Sequence, residues 1–314
     1  MTTLERLADW RDAGIIGNDQ HNAISSIVRK DRFSVFLELN ALLYIGVLSL
    51  IAGIGLVIQT YLATLGDAAI ISGLTVLLAG CFYYCFTRAL SYSSHQVESP
   101  TLAFDYVLYL GCLTFGLELG YIEAQFHLMQ GQWDYYLLAS AALFFVLAYR
   151  FDNRFVLSLA LSTLAGWFGI RISRIGLFST ANLRVPALFY GVSVVVAATA
   201  LHRANIKKHF TETYFHVAAL VLFSAVFSGL FEVWDVPYLI VLLVLAAIAV
   251  AGGIRFKRFA FVVYGVGFGY LGITVRVFKS LRLDTTAGLT YLIVSGLLVV
   301  VFMIILARRS GQDA

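Results

Sequence analysis

From about residue 37 onward the chain is a series of long apolar runs separated by short polar breaks. Crossing a bilayer as a helix takes about 20 mostly apolar residues. Ten runs meet that length, at about 37–61, 68–87, 103–121, 134–150, 155–171, 185–202, 211–231, 237–253, 259–275 and 286–307. Pro186 and Pro237 stand at run starts, where a missing N–H costs a helix little. Ahead of the first run the spacing changes to an amphipathic one. Leu4, Leu7, Ala8 and Arg11 share a helical face, Gly14 suits a C-cap, and Asn18 can cap a second helix carrying Ile24, Ile27 and Val28. Residues 1–34 are thus expected to form a short cytoplasmic helical hairpin. Its apolar stripe, with Trp10, Ile15 and Ile16, would dock on the membrane or on a protein partner.

Composition supports the same class. Of 314 residues, 60% are hydrophobic and 13% charged, against about 25% charged in soluble domains. The expected fold is all-α, a polytopic transmembrane helix bundle of about ten spans. Cys81, Cys85 and Cys112 lie inside apolar runs, which excludes a disulfide framework and a cysteine-rich zinc site. No apolar segment near residue 10 reads as a cleaved signal peptide. The net charge of +4 comes from scattered residues, so no nucleic-acid partner is expected. Its distribution sets orientation instead. With the N-terminus cytoplasmic, 16 of the 22 Lys and Arg fall inside, as positive-inside bias requires. Both termini are therefore expected in the cytoplasm, and membrane lipids are the expected surroundings.

Comparing the chain with itself reveals recurring landmarks. Trp133-Asp134, then Arg150 to Phe155, then Gly166-Trp167-Phe168-Gly169-Ile170 are followed about a hundred residues later by Trp234-Asp235, Arg255 to Phe259, and Gly269-Tyr270-Leu271-Gly272-Ile273. The order and near-constant separation predict two four-span repeats, 101–206 and 207–314, with spans 1 and 2 (35–100) outside them. An even number of spans makes the copies parallel, as in one class of transporters. Gly-x-Gly patterns at Gly53/Gly55 and Gly265/Gly267/Gly269 mark close helix packing.

Ionisable residues at membrane depth are costly and direct attention to function. They are Asp105, Glu118, Glu123, His127, Arg171, Glu212, His216 and Arg276. The outer end of span 3 is the richest stretch. Glu118 and Gln125 share a flank, Glu123 and His127 are an i, i+4 pair, and Trp133-Asp134 follow. A carboxylate one turn before an imidazole can orient it, raise its basicity or join it on a metal. One Glu and one His are an incomplete metal set, so no metal or other cofactor is expected. An interfacial polar cap with Trp133 as anchor explains the same residues.

The six outward basic residues fall in two corresponding loops: Arg171, Arg174 and Arg184, then Arg276, Lys279 and Arg282. They suit a phosphate or carboxylate, from an anionic small molecule or a lipid headgroup. They suit equally the neighbouring acids Glu123, Asp134, Glu232 and Asp235. No phosphate loop, dinucleotide fingerprint or nucleophile elbow is present.

These residues carry a resemblance. Leu7, Trp10, Gly14-Ile15-Ile16, Gln20 and Ile24, together with Gly120 to Gly131 and Arg150 to Gly169, resemble a bacterial integral-membrane family of the domain of unknown function 2157 type. The likeness is best over the hairpin and first five spans. Phe126 stands where that family usually has Tyr. The resemblance implies a bacterial inner-membrane protein and supplies no reaction.

Two functions follow as expectations. One is a transporter or a lipid- or small-molecule-binding protein with an outer-leaflet site between the repeats. Glu118, Glu123, Gln125, His127, Trp133, Asp134, Arg171, Arg174, Glu232, Asp235 and Arg276 would build that site. The other is a structural or regulatory subunit that docks partners through residues 1–34. A membrane enzyme ranks below both. The orientation is directly testable: a fluorescent protein fused after Ala314 should glow, and a reporter active only outside the cytoplasm should be silent there.

Overall fold

A computed structural model describes residues 3–18, 20, 21, 25, 36–128, 132–175, 183–232, 234–281 and 284–312. Eleven α-helices occur among them: α1 (Thr3–Asp12), α2 (Phe36–Leu65), α3 (Asp67–Arg88), α4 (Leu102–Phe126), α5 (Trp133–Phe151), α6 (Arg154–Ile175), α7 (Arg184–Arg203), α8 (Phe210–Ser228), α9 (Asp235–Arg255), α10 (Phe259–Leu281) and α11 (Thr285–Gln312). A single 3₁₀ turn, Gly229–Phe231, extends α8. Ten helices, α2 to α11, are long and apolar enough to cross a membrane. The chain is an all-helical polytopic membrane protein.

Five helices outrun their apolar windows by four or more residues at the C-terminal end, α2 and α11 among them. α4 continues to Phe126, α6 to Ile175 and α10 to Leu281, where the apolar runs end near 121, 171 and 275. Backbone hydrogen bonding is satisfied inside a helix whatever the side chains, so polar residues at an interface do not end it. His127 ends α4. It takes a left-handed conformation (φ 49°), and its N–H donates to Glu123 O at 3.0 Å.

The chain divides into two units, 1–61 and 62–314. In the first, α1 closes as expected on Gly14 (φ 71°), with Ile15 N–H reaching back to Trp10 O at 2.9 Å, the bond of a Schellman cap. Asn18 is not the cap of the next helix. It is already helical, and Gln20 Oε1 accepts the N–H of Gly17 at 3.1 Å. This is the reciprocal half of a capping box, which needs a Gln or Glu three residues after the cap. Ile24, Ile27 and Val28 lie outside the described residues.

In the second unit consecutive helices pair: α3 with α4, α5 with α6, α7 with α8, and α9 with α10. α8 also packs on α6, α9 and α10. Its first half (Phe210, Tyr214, Ala218) belongs to a core shared with α3 to α7, and its second half (Phe223, Val226) to a core shared with α9 and α10. α11 is capped by Asp284, whose Oδ1 accepts from Ala287 N at 2.9 Å. It touches α10 through Tyr291 and Ser295, and none of its most apolar window is buried. Such a surface suits lipid.

Small residues set the closest approach. A methyl group at Gly265 would stand 2.6 Å from Ala246 O on α9, whereas one at Gly267 meets nothing within 4 Å. Gly265→Ala should therefore destabilise the protein by about 1–3 kcal/mol, as overpacking does. Gly267→Ala should be neutral or slightly stabilising. Thermal unfolding of both variants in one detergent checks the contrast.

Candidate functional site

Two ends of the second unit differ in charge. The basic end carries the connections 88–102, 150–154, 203–210 and 254–258; the other carries acids and bases in equal number and is called the acidic end for the buried carboxylates Glu123, Asp134 and Asp235. At the acidic end the structure joins the predicted residues into separate pairs. Asp134, fully buried at the start of α5, accepts from Arg171 Nη1 of α6 at 3.2 Å. Asp235, at the start of α9, accepts from Arg276 Nη1 of α10 at 3.0 and 3.2 Å, and Lys279 Nζ lies 3.6 Å away. Thus each Trp-Asp landmark starts a helix whose carboxylate holds an arginine from the next one. Arg184 of α7 donates to Glu232 at 3.0 Å, to Ser228 Oγ at 3.1 Å and to the Tyr238 hydroxyl at 3.1 Å.

The span-3 residues separate. Glu123 is buried and accepts from Tyr136 OH of α5 at 3.0 Å. Gln125 and Tyr121 donate to Asp67 at 3.0 and 2.7 Å, joining α4 to α3. His127 is exposed and turned off the helical face by its left-handed backbone, so it does not pair with Glu123. Glu118 lies deeper, against Thr75 of α3. Trp133 is 43% exposed, its ring near Tyr136. The side chain of Arg174, like Arg282, lies outside the described residues. Among the described residues no three His, Cys, Asp or Glu gather as a metal site.

Beside the arginine pairs lies a cavity of about 580 Å³. Gly166, Gly169 and Ile170 of α6, Pro186 of α7, Leu183 just before it, and Val221 of α8 are in its wall, and among the described residues no charged one lines it. Tyr190 also lines it, with its hydroxyl donated to Leu161 O at 2.6 Å. The arginines Arg171 and Arg184 directly follow the lining residues Ile170 and Leu183.

At the basic end the sequence pointed to Asp105, Glu212 and His216 but not to the pair Lys207 and Asp152. Lys207 and Asp152 are 1% and 2% exposed, with Nζ and Oδ2 2.9 Å apart. Asp152 also contacts His209 Nε2 and accepts from Val97 N at 2.6 Å. Lys207 Nζ donates to His95 O at 3.2 Å, and its N–H to Ser94 O at 3.0 Å. The segment before α4 is thereby tied to the α5–α6 and α7–α8 connections. Asp152 has φ 57° and Lys207 φ 44°, and no local pattern advertises partners 55 residues apart. Nearby, Asp105 accepts from Ser99 Oγ and Asn153 Nδ2 at 2.8 and 2.7 Å. Glu212 accepts from Arg258 at 2.5 Å and Arg154 at 3.4 Å. His216 stacks on Phe261 and shares a hydrogen bond with Tyr264. These three candidates are satisfied within the fold.

Residues 8–157 match the family described as predicted membrane protein, DUF2157. No curated protein and no solved structure matches. The DUF2157 region runs from α1 to the first turn of α6, one span short of the extent expected from resemblance. It includes Glu118 to Asp134 and stops before the cavity and its arginines. It includes Asp152 but not Lys207. Asp152→Ala leaves that lysine buried and unpaired, a change that typically costs about 3–5 kcal/mol. Replacing both residues by apolar ones should recover much of the loss, measured by thermal unfolding in detergent.

Proposed function

We propose that the protein binds a lipid in the outer leaflet, with an acyl chain in the α6–α8 cavity and an anionic headgroup at Arg171. The cavity is the observation that supports this most directly. Its volume of about 580 Å³ lies within the roughly 300–1,000 Å³ typical of small-molecule sites, and its wall offers an acyl chain no polar competitor. Each methylene moved there from water contributes about 0.8 kcal/mol. Arg171 uses Nη1 on Asp134 and stays 42% exposed, so its other nitrogens can meet a phosphate. The orientation expected from the charge bias puts this end outside. Glu118, Glu123, Gln125 and His127 are not part of this site.

The reading includes the repeat, 101–206 with 207–314. Two correspondences support it. Asp134–Arg171 and Asp235–Arg276 link the same pair of successive helices. Asp152 and Lys257 both take a left-handed conformation, each followed by a residue whose N–H reaches back five residues, to Ala148 O and Gly253 O. The cavity would then lie where the first copy meets Val221 of the second.

Native mass spectrometry of protein taken gently from its own membrane tests the proposal. A side chain at Gly169 would enter open space, so Gly169→Leu fills the cavity without striking the backbone. Wild type should retain phospholipid, and Gly169→Leu should lose about tenfold in affinity, equivalent to about 1.4 kcal/mol. Arg171→Ala should shift the retained species away from anionic lipids. Equal retention by wild type and Gly169→Leu would overturn the assignment. A protein subunit retained in its place would favour the structural role.

A further inference from the structure

Glu118 is the deepest carboxyl in the α3–α4 pair. It stands eight residues before the end of α4, about 12 Å at the helical rise of 1.5 Å per residue, and is 8% exposed. Its Oε1 lies 2.5 Å from Thr75 Oγ1. That hydroxyl also lies 2.8 Å from Ile71 O, one turn back on α3.

Counting hydrogens gives the argument. A threonine hydroxyl has one hydrogen to donate, and a backbone carbonyl can only accept. Given to Ile71 O, that hydrogen leaves two bare oxygens, Thr75 Oγ1 and Glu118 Oε1, 2.5 Å apart. Given to Glu118, it leaves Oγ1 and Ile71 O in unsupported contact. Threonines inside membrane helices commonly donate to the carbonyl four residues back, as Thr60, Thr163 and Thr290 do in this chain. A hydrogen on the carboxyl makes each contact a full two-centre bond, whereas without it a single hydrogen must be shared between two acceptors.

The surroundings agree. Among the described residues Glu118 Oε2 is buried without a partner, and so is Thr114 Oγ1 one turn earlier on α4. No Lys, Arg or His among the described residues lies within ion-pair distance of Glu118. Of the ionisable groups on its own and adjoining helices, Asp67 is bonded to Tyr121 and Gln125, Glu123 to Tyr136, and Asp134 to Arg171. Cys81, Cys85 and Cys112 are free thiols. An anion so placed would lack both solvent and counter-ion, a costly state in a membrane.

We propose that Glu118 is an intramembrane proton-binding site, its hydrogen held on Oε1 toward Thr75. Tyr121, one turn farther along α4, and its partner Asp67 lie between Glu118 and the end of the helix pair. This site is independent of the lipid cavity.

Infrared spectroscopy of the protein in lipid nanodiscs at neutral pH tests it. The wild-type minus Glu118→Gln difference should contain the carbonyl band of a carboxylic acid. Carboxylate bands in its place would overturn the proposal. Thr75→Val keeps the glutamate and removes its hydrogen-bond partner, so the acid band should move to higher frequency; an unmoved band would refute the Thr75 bond. If Glu118→Gln does not fold, a hydrophobic carbodiimide, which attacks protonated carboxyls within membranes, decides on wild type. Peptide mapping should find Glu118 modified, and an unmodified Glu118 would refute the site.

Discussion

The second unit depends on one buried ion pair, Lys207 with Asp152. Removing both charges from water is expensive, and only complete pairing and hydrogen bonding make the arrangement tolerable. The partners here do so. Asp152 receives Lys207, His209 and a backbone N–H, while Lys207 Nζ also donates to His95 O and lies over the Tyr92 ring, and the Lys207 N–H reaches Ser94 O. These bonds join three connections that are remote in sequence. The ends of α5, α6, α7 and α8 are thereby registered against the segment that leads into α4. An apolar contact at the same place would be non-directional and would allow the connections to slide.

The acidic end solves a similar problem differently. There Asp134, Glu232 and Asp235 each take an arginine from another helix, and the pairs remain partly open to the interface. Arg171 and Arg276 are 42% and 44% exposed, whereas their acids are nearly buried. Neutralising the acids locally lets α5 and α9 begin with a carboxylate, which the helix N-terminus also favours. It leaves the wall of the adjoining cavity apolar. Polar chemistry and apolar volume thus sit side by side, the arrangement an amphipathic ligand requires.

α8 connects the two cores. One half packs with the helices before it and the other with those after it, so displacement at either end of α8 would be felt by both. Glu118 stands apart from this axis, between α3 and α4, where the chain matches the DUF2157 family. Glu118 therefore lies on a helix other than those whose ends Lys207 and Asp152 register.

Hydropathy alone determined the spans, because a helix that crosses lipid must satisfy its own backbone and present apolar side chains over a fixed thickness. That constraint is local and one-dimensional, and ten runs became ten helices. The recurring Trp-Asp landmarks and the arginines of the two corresponding loops were legible for the same reason, as charges placed at the ends of apolar runs. Partners were not legible. The arginine loops allowed an anion cradle or internal pairing, and three-dimensional approach brought Arg171 to Asp134, Arg184 to Glu232 and Arg276 to Asp235. The Glu123–His127 spacing implied a pair, but the left-handed residue that ends α4 turned His127 away. Lys207 and Asp152 looked like ordinary loop charges until folding buried them together. Contact between groups 40 to 60 residues apart depends on how helices pack, and packing depends on shape across several chain segments at once.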